Sequence, residues 1–237
     1  MRFIDHHEAG NLLARKVADL RPVRPVVLAI PPAGVRIGWE IARRLKAPMD
    51  VIVIREITIP GRLGCPVGSA IDGIFDPDDA GCRRQSVTQE YARILASSEQ
   101  ASEERWGHLL RHDLPPIDLK GRTTILVSDT PLHFATLRAV ESALRKRGTI
   151  RVLYAVAFAP LAHPAQIQPA VETVSLFRPE DGCSVMLVNA GYRQTTDDEI
   201  ADLVARSRLL AVTQGSWDGL HADTTLVPAA EVDVKPY

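Results

Sequence analysis

Cysteine is scarce in this sequence. Cys65, Cys82 and Cys183 are widely spaced, odd in number and form no CxxC pair, which fits reduced thiols in a cytosolic protein and small packing residues rather than a disulfide framework. A dominant charge is lacking as well. With 28 Lys plus Arg against 29 Asp plus Glu and a formal net charge of -1, no global field recruits nucleic acid or an anionic membrane, and only a local basic patch stays open. Aromatic residues make up 5% of the chain. Trp39, Trp106 and Trp217 are scattered rather than interleaved with basic residues, so no base-stacking platform is indicated. No stretch approaches the roughly 18 uninterrupted apolar residues of a membrane span. MRFIDHHEAGNLL has no cationic region followed by a long apolar run, so no secretory leader is expected. These absences predict a cytoplasmic protein with neither nucleic acid nor membrane as partner.

What is present is an ordinary soluble composition, 46% hydrophobic and 24% charged over 237 residues. That is enough chain for one α/β domain with embellishments. Asp5 and Glu8 have capping-box spacing, and Ala9, Leu12, Leu13, Val17 and Leu20 share one helical face, predicting a first helix over 6–20. RPVVLAI (24–30) and DVIVIREI (50–57) read as strands buried on both faces, separated by PPAG and a helical stretch over 35–45. Strand, helix, strand at this spacing is a βαβ unit, hence a parallel sheet with a right-handed crossover. Residues 58–84 alternate glycine and proline, with only VGSAI strand-like, and read as a flap or β-hairpin. A long helix is expected over 86–112. A third strand over 123–127, a helix over 134–147 closed by Gly148 at C′, and a fourth strand over 149–159 follow. A short helix over 164–170 and a strand over 172–177 come next. A helix opened by the capping box of Thr196 and Glu199 precedes a weakly patterned tail over 209–237. The expectation is one doubly wound domain over 1–208 and a C-terminal extension.

The junction TTILVSDTPLHFATLRAV (123–140) puts an acid-bearing loop at the carboxyl end of a buried strand, where α/β proteins bind ligands. Asp129 there reads as a sugar-hydroxyl ligand, a general base or the N-cap of the next helix, with the ligand reading narrowly ahead. His133 reads as a phosphate-binding or acid group, or as a solvent-facing loop residue. Arg55 reads equally as a phosphate or carboxylate ligand and as the ion-pair partner of Asp50 or Glu56. His108 and His112 have metal-ligand spacing but lack the glutamate of HExxH, so a solvated helix face is expected and no metal site. His6 and His7 are adjacent at the helix start. Arg145, Lys146 and Arg147 close a helix, where cations favour the dipole.

Several segments in order resemble the type I phosphoribosyltransferases, and more closely a small bacterial group of that family. DHHEAGNLLA opens the chain, and VVLAIPPAGVRIGWEIARRL stands where the group has a strand, LPRGGV and a helix. DVIVIRE matches DVLVVRK, and PGRLGCPVGSA resembles PGNPELAIGAV. TTILVSDTPLHFATLRAV resembles VILVDDGIATGATMRAA, and GYRQTTDDEI resembles FSQVSDEEV. The likeness covers roughly residues 1–205.

The resemblance implies transfer of phosphoribose from 5-phosphoribosyl diphosphate (PRPP) to a nucleobase-like acceptor, with Mg2+ on the pyrophosphate. It also implies two adjacent acids on the ribose hydroxyls and a TGxT loop on the 5′-phosphate. Here Ser128 and Asp129 stand at the acid pair, Thr130 at the following glycine, and His133, Phe134, Ala135 and Thr136 at Thr, Gly, Ala and Thr. Phe134 restricts φ and brings bulk where glycine lets phosphate approach, and Pro131 removes a backbone donor. In IPPAGV, Pro32 and Ala33 replace the arginine and first glycine before Gly34, and Glu56 replaces the cation after Arg55. An anion beside a diphosphate costs roughly 1 kcal/mol or more at contact. Losses at two anion subsites predict a family member that binds a small nucleotide-, nucleoside- or phosphosugar-like ligand, with PRPP transfer weakened or lost. Mg2+ is expected only if PRPP binds. An active transferase with a rearranged site, and a regulatory protein whose Pro131, Leu132 and Phe134 contact a partner or a second copy in a homo-oligomer, are the alternatives.

Overall fold

A computed structural model describes residues 5–62, 66–158, 171–177, 195–213 and 215. In chain order the elements are α1 (His6–Lys16), β1 (Val26–Ala29), α2 (Gly34–Leu45), β2 (Met49–Val51), β3 (Ile54–Ile57), β4 (Gly68–Ile71) and β5 (Ile74–Pro77). They continue as α3 (Asp79–Gln85), α4 (Gln89–Leu110), β6 (Thr123–Ser128), α5 (Phe134–Lys146), β7 (Arg151–Phe158), β8 (Glu172–Phe177) and α6 (Asp197–Thr213). The doubly apolar runs form a five-stranded sheet in the order β2-β1-β6-β7-β8, with every neighbouring pair parallel. Alternate residues face opposite ways along a strand. Val27, Ala29, Ile125, Val127 and Ala155 accordingly pack with α1, α2 and α6, and Val26, Leu28, Leu126, Tyr154 and Val156 pack with α5. Helices on both faces of a parallel sheet are the expected doubly wound α/β arrangement.

The glycine- and proline-rich stretch contributes a separate antiparallel sheet, β3-β4-β5. Its tight turn is Asp72-Gly73, with φ of 46° and 80°, the two positive values that a type I′ hairpin requires. Ile57, Val67, Ala70 and Cys82 pack there against Ala92 and Ala96 of α4. Burial, followed by the nearby Asp78, raises the Cys82 thiol pKa.

Five expected boundaries move. The first α-helix ends at Lys16 and gives way to a 3-10 helix at Ala18–Val23 containing Pro22, whose ring cannot follow an α-helical turn. The strand expected over 50–57 divides: β2 pairs with β1, whereas β3 crosses to the hairpin. The Val53 N–H donates to Asp72 Oδ1 at 3.0 Å where the chain changes sheets. The helix expected over 86–112 begins only at Gln89, after a Thr88 cap, with α3 as a separate helix before it. It also stops at Leu110, so His112, with φ of 48°, lies beyond it and shares no helix face with His108. Finally α6 runs on to Thr213, past residue 208. The helix expected over 164–170 lies outside the described residues. Gly148 does follow α5 with φ of 86°, and Thr196 and Glu199 do make both bonds of their capping box. Among the described residues no helix is long and apolar enough to cross a membrane.

A buried ionic knot fixes the layers to one another. The Asp50 carboxylate, fully buried in β2, accepts from Arg111 Nε at 2.9 Å and from the Val51 and Ile117 N–H groups. Arg208 of α6 approaches its other oxygen at 3.0 Å, and burial lowers the Arg208 pKa against the pull of Asp50. Removing one partner from such a site leaves buried charge without compensation. Asp50→Asn is expected to lose about 3–5 kcal/mol in urea unfolding. Asp202→Asn, which breaks an exposed i,i+4 pair with Arg206, should lose less than about 1 kcal/mol.

Candidate functional site

The strand order locates a crevice. β1 leaves through α2 toward β2 on one side, and β6 leaves through α5 toward β7 on the other, so the loops 30–33 and 129–133 part at a topological switch point. Gly34 lets them meet: a Cβ there would lie 2.8 Å from the Val127 carbonyl oxygen and 3.2 Å from Ser128 Cα. The Ile30 N–H donates to that same carbonyl at 2.9 Å, and the Pro31–Pro32 peptide is cis. Ala33 and His133 are the N-caps of α2 and α5, neither helix end has a side-chain cap, and neither first turn holds an acid of its own. Two helix N-termini without a cap or acid of their own therefore start beside the crevice.

The loop after β6 is tied internally. Ser128 Oγ and Tyr154 Oη lie 2.6 Å apart and 2.6 and 3.2 Å from the Thr130 carbonyl oxygen, a cluster in which two hydroxyl protons serve two of the three contacts. The Leu132 N–H donates to Tyr154 Oη at 3.1 Å. Burial pushes the Tyr154 phenol up to about 12, against its bonds to Ser128 and Leu132. Ser128, at the first acid position, is buried with its hydroxyl committed to the loop itself. Asp129 remains half-buried, with the Thr130 hydroxyl 3.4 Å from Oδ1. The cap reading of Asp129 is corrected, because the N-cap position falls to His133.

Thr130 and His133 are exposed and Ala135 half-buried. Phe134 is 38% exposed, with the Arg138 guanidinium carbon 6.0 Å from its ring centroid. Thr136 is fully buried. Its hydroxyl donates to Glu56 Oε1 at 2.7 Å and accepts from Ser69 Oγ at 3.1 Å, while His133 Nε2 lies 3.7 Å from Glu56 Oε2. The hairpin sheet thus closes onto the start of α5. Arg55 precedes Glu56 on β3, and alternation sends it the other way. Its ion pair is with the buried Glu103 of α4 at 3.0 Å, which corrects the expectation of Asp50 or Glu56.

Sequence reasoning missed three further residues beside the loop. Tyr154 is the polar tip inside an apolar strand, a signal that can be read. His6 is buried, and burial lowers its pKa, with Asp129 pulling it up and Arg36 down, so His6 lies in electrostatic reach of both. Arg36 bonds Thr195 Oγ1 at 2.9 Å and Glu199 Oε2 at 3.1 Å. Among the described residues no group of three or more His, Cys, Asp or Glu is arranged to hold a metal ion.

The Tyr154 phenol gives a pH signature. A folded pKa near 12 against 10.0 for an ordinary tyrosine means that the neutral form stabilises the fold below 10 and that this contribution is lost as pH rises through 12. Tyr154→Phe should flatten that alkaline loss in urea unfolding. It should also cost about 1 kcal/mol at neutral pH, by stranding the Leu132 N–H. Equal alkaline slopes in the two proteins would contradict the assignment.

No family model matches the chain. Two curated proteins, from two strains of Mycobacterium tuberculosis and provisionally named phosphoribosyl transferases, are each 30% identical to it over 221 residues, 91% of this chain. The chain spans about half, 49%, of the length of each. The crystal structure of TT1426 from Thermus thermophilus superposes with a TM-score of 0.72 at 28% identity, covering 87% of this chain and 99% of that one. On a doubly wound α/β fold shared with that structure, the chain resembles the phosphoribosyltransferase family over most of its length.

Proposed function

We propose that this chain is a divergent phosphoribosyltransferase-type protein that binds a small nucleotide-, nucleoside- or phosphosugar-like ligand at the switch-point crevice, with PRPP transfer weakened or lost. The observation carrying this reading is the allocation of the loop's polar groups. Asp129 keeps a carboxylate at the crevice, while Ser128 and Thr136 spend their hydroxyls on Tyr154, Thr130, Glu56 and Ser69. A ribose diol can still bond one carboxylate, a charge-assisted contact of about 1.5–3 kcal/mol. Mg2+ would come with a pyrophosphate-bearing ligand, since of the residues from Ser128 to Thr136 only Asp129 offers a carboxylate. On this reading the protein acts in the cytoplasm, alone or as a homo-oligomer.

The accessible Asp129 also favours a second reading, an active transferase or ribosyl hydrolase with a rearranged site. It is distinguished by pyrophosphate release from PRPP in the presence of a nucleobase, abolished in Asp129→Ala.

Calorimetry with adenosine, ribose 5-phosphate and PRPP plus Mg2+ tests the leading reading. Asp129→Ala is expected to weaken whichever ribosyl ligand binds by about tenfold or more. Micromolar, Mg2+-dependent PRPP binding to the unaltered protein would contradict the weakened-transfer reading.

A further inference from the structure

An uncapped helix N-terminus attracts an anion through its free N–H groups and the positive end of its dipole. At α5 an anion of the protein itself reaches that end. Glu56 reaches from β3 with one oxygen 2.7 Å from Thr136 Oγ1, in the first turn, and the other 3.7 Å from His133 Nε2, at the cap. Thr136 is fully buried, and its single hydroxyl proton is already given to Glu56. Ser69 of the neighbouring strand supplies the donor on the other side. The carboxylate is thus bonded to the first turn of the helix, and the hairpin sheet holds it there.

From this contact we infer that Glu56 is a specificity-determining residue, a built-in anion that excludes phosphate from the start of α5 and leaves the crevice selective for a ribosyl ligand bearing no phosphate at that end. The inference rests on the crevice being the ligand site and narrows its occupant toward the nucleoside-like class. A phosphate carries nearly two negative charges at neutral pH. Set beside a carboxylate at contact distance, even in water, it loses about tenfold or more in affinity. To avoid that repulsion it must displace the Glu56 side chain, which breaks its bond to Thr136. Phe134 is not the obstacle, because its ring lies partly in solvent under Arg138.

The test uses inorganic phosphate, which has no ribose for Asp129 to hold. The amide signals of Phe134, Ala135 and Thr136 are followed by nuclear magnetic resonance during phosphate titration of the unaltered chain and of Glu56→Gln. Glutamine keeps an acceptor for Thr136 and removes the charge, and a dispersed spectrum shows that the variant is folded. Phosphate is expected to bind Glu56→Gln at least about tenfold more tightly. A smaller ratio, including binding by neither protein, overturns the inference. Adenosine titrated into Asp129→Ala separately reports the ribosyl site, so failure of that reading is distinguishable from failure of this one.

Discussion

The hydroxyl of Thr136 joins the two layers of this molecule. It donates to Glu56 on β3 and accepts from Ser69 on β4, so the antiparallel hairpin sheet and the helix that leaves the parallel sheet share one buried polar contact. A hydroxyl can give one proton, and here that proton goes to a carboxylate of the same chain. Other polar groups around the crevice are likewise taken up within the chain. Ser128 is tied to Tyr154, Arg36 to Glu199, and Arg55 to Glu103.

Much of the scaffold was legible because its causes are local. The doubly apolar runs at 26–29 and 123–128 are long enough to demand burial on both faces, and a parallel sheet provides it. The cap pair of Thr196 and Glu199 and the glycine after α5 signal helix ends by their own chemistry. What escaped depended on tertiary partners. DVIVIREI is uniformly strand-like, so nothing local marks the point where it leaves one sheet for another. That division is set by Asp72, a distant residue that bonds Val53. Asp72-Gly73 did carry a hairpin signal, obscured by the glycines and prolines around it.

The place of the acid loop was legible, its bonding network less so. The acid loop sits where the strand pattern put it, at the end of β6 and beside Gly34. The substitutions at Ser128 and Glu56 were visible as losses relative to the resembled family. Their structural meaning was not, since a residue's replacement does not reveal which new bond it makes. Ser128 became part of the Tyr154 staple, and Glu56 became an anion at the helix end. His6 gave no signal, because its nearness to Asp129 and Arg36 arises from the packing of α1 and α2.

The central claim is that a carboxylate of the chain itself, rather than a ligand phosphate, holds the start of α5. A crystal structure of the unaltered protein grown or soaked in concentrated ribose 5-phosphate tests it most directly. The account predicts that Glu56 stays bonded to Thr136 with no phosphate on the amides of Phe134 to Thr136. A phosphate seated on those amides, with Glu56 swung away from Thr136, would contradict it.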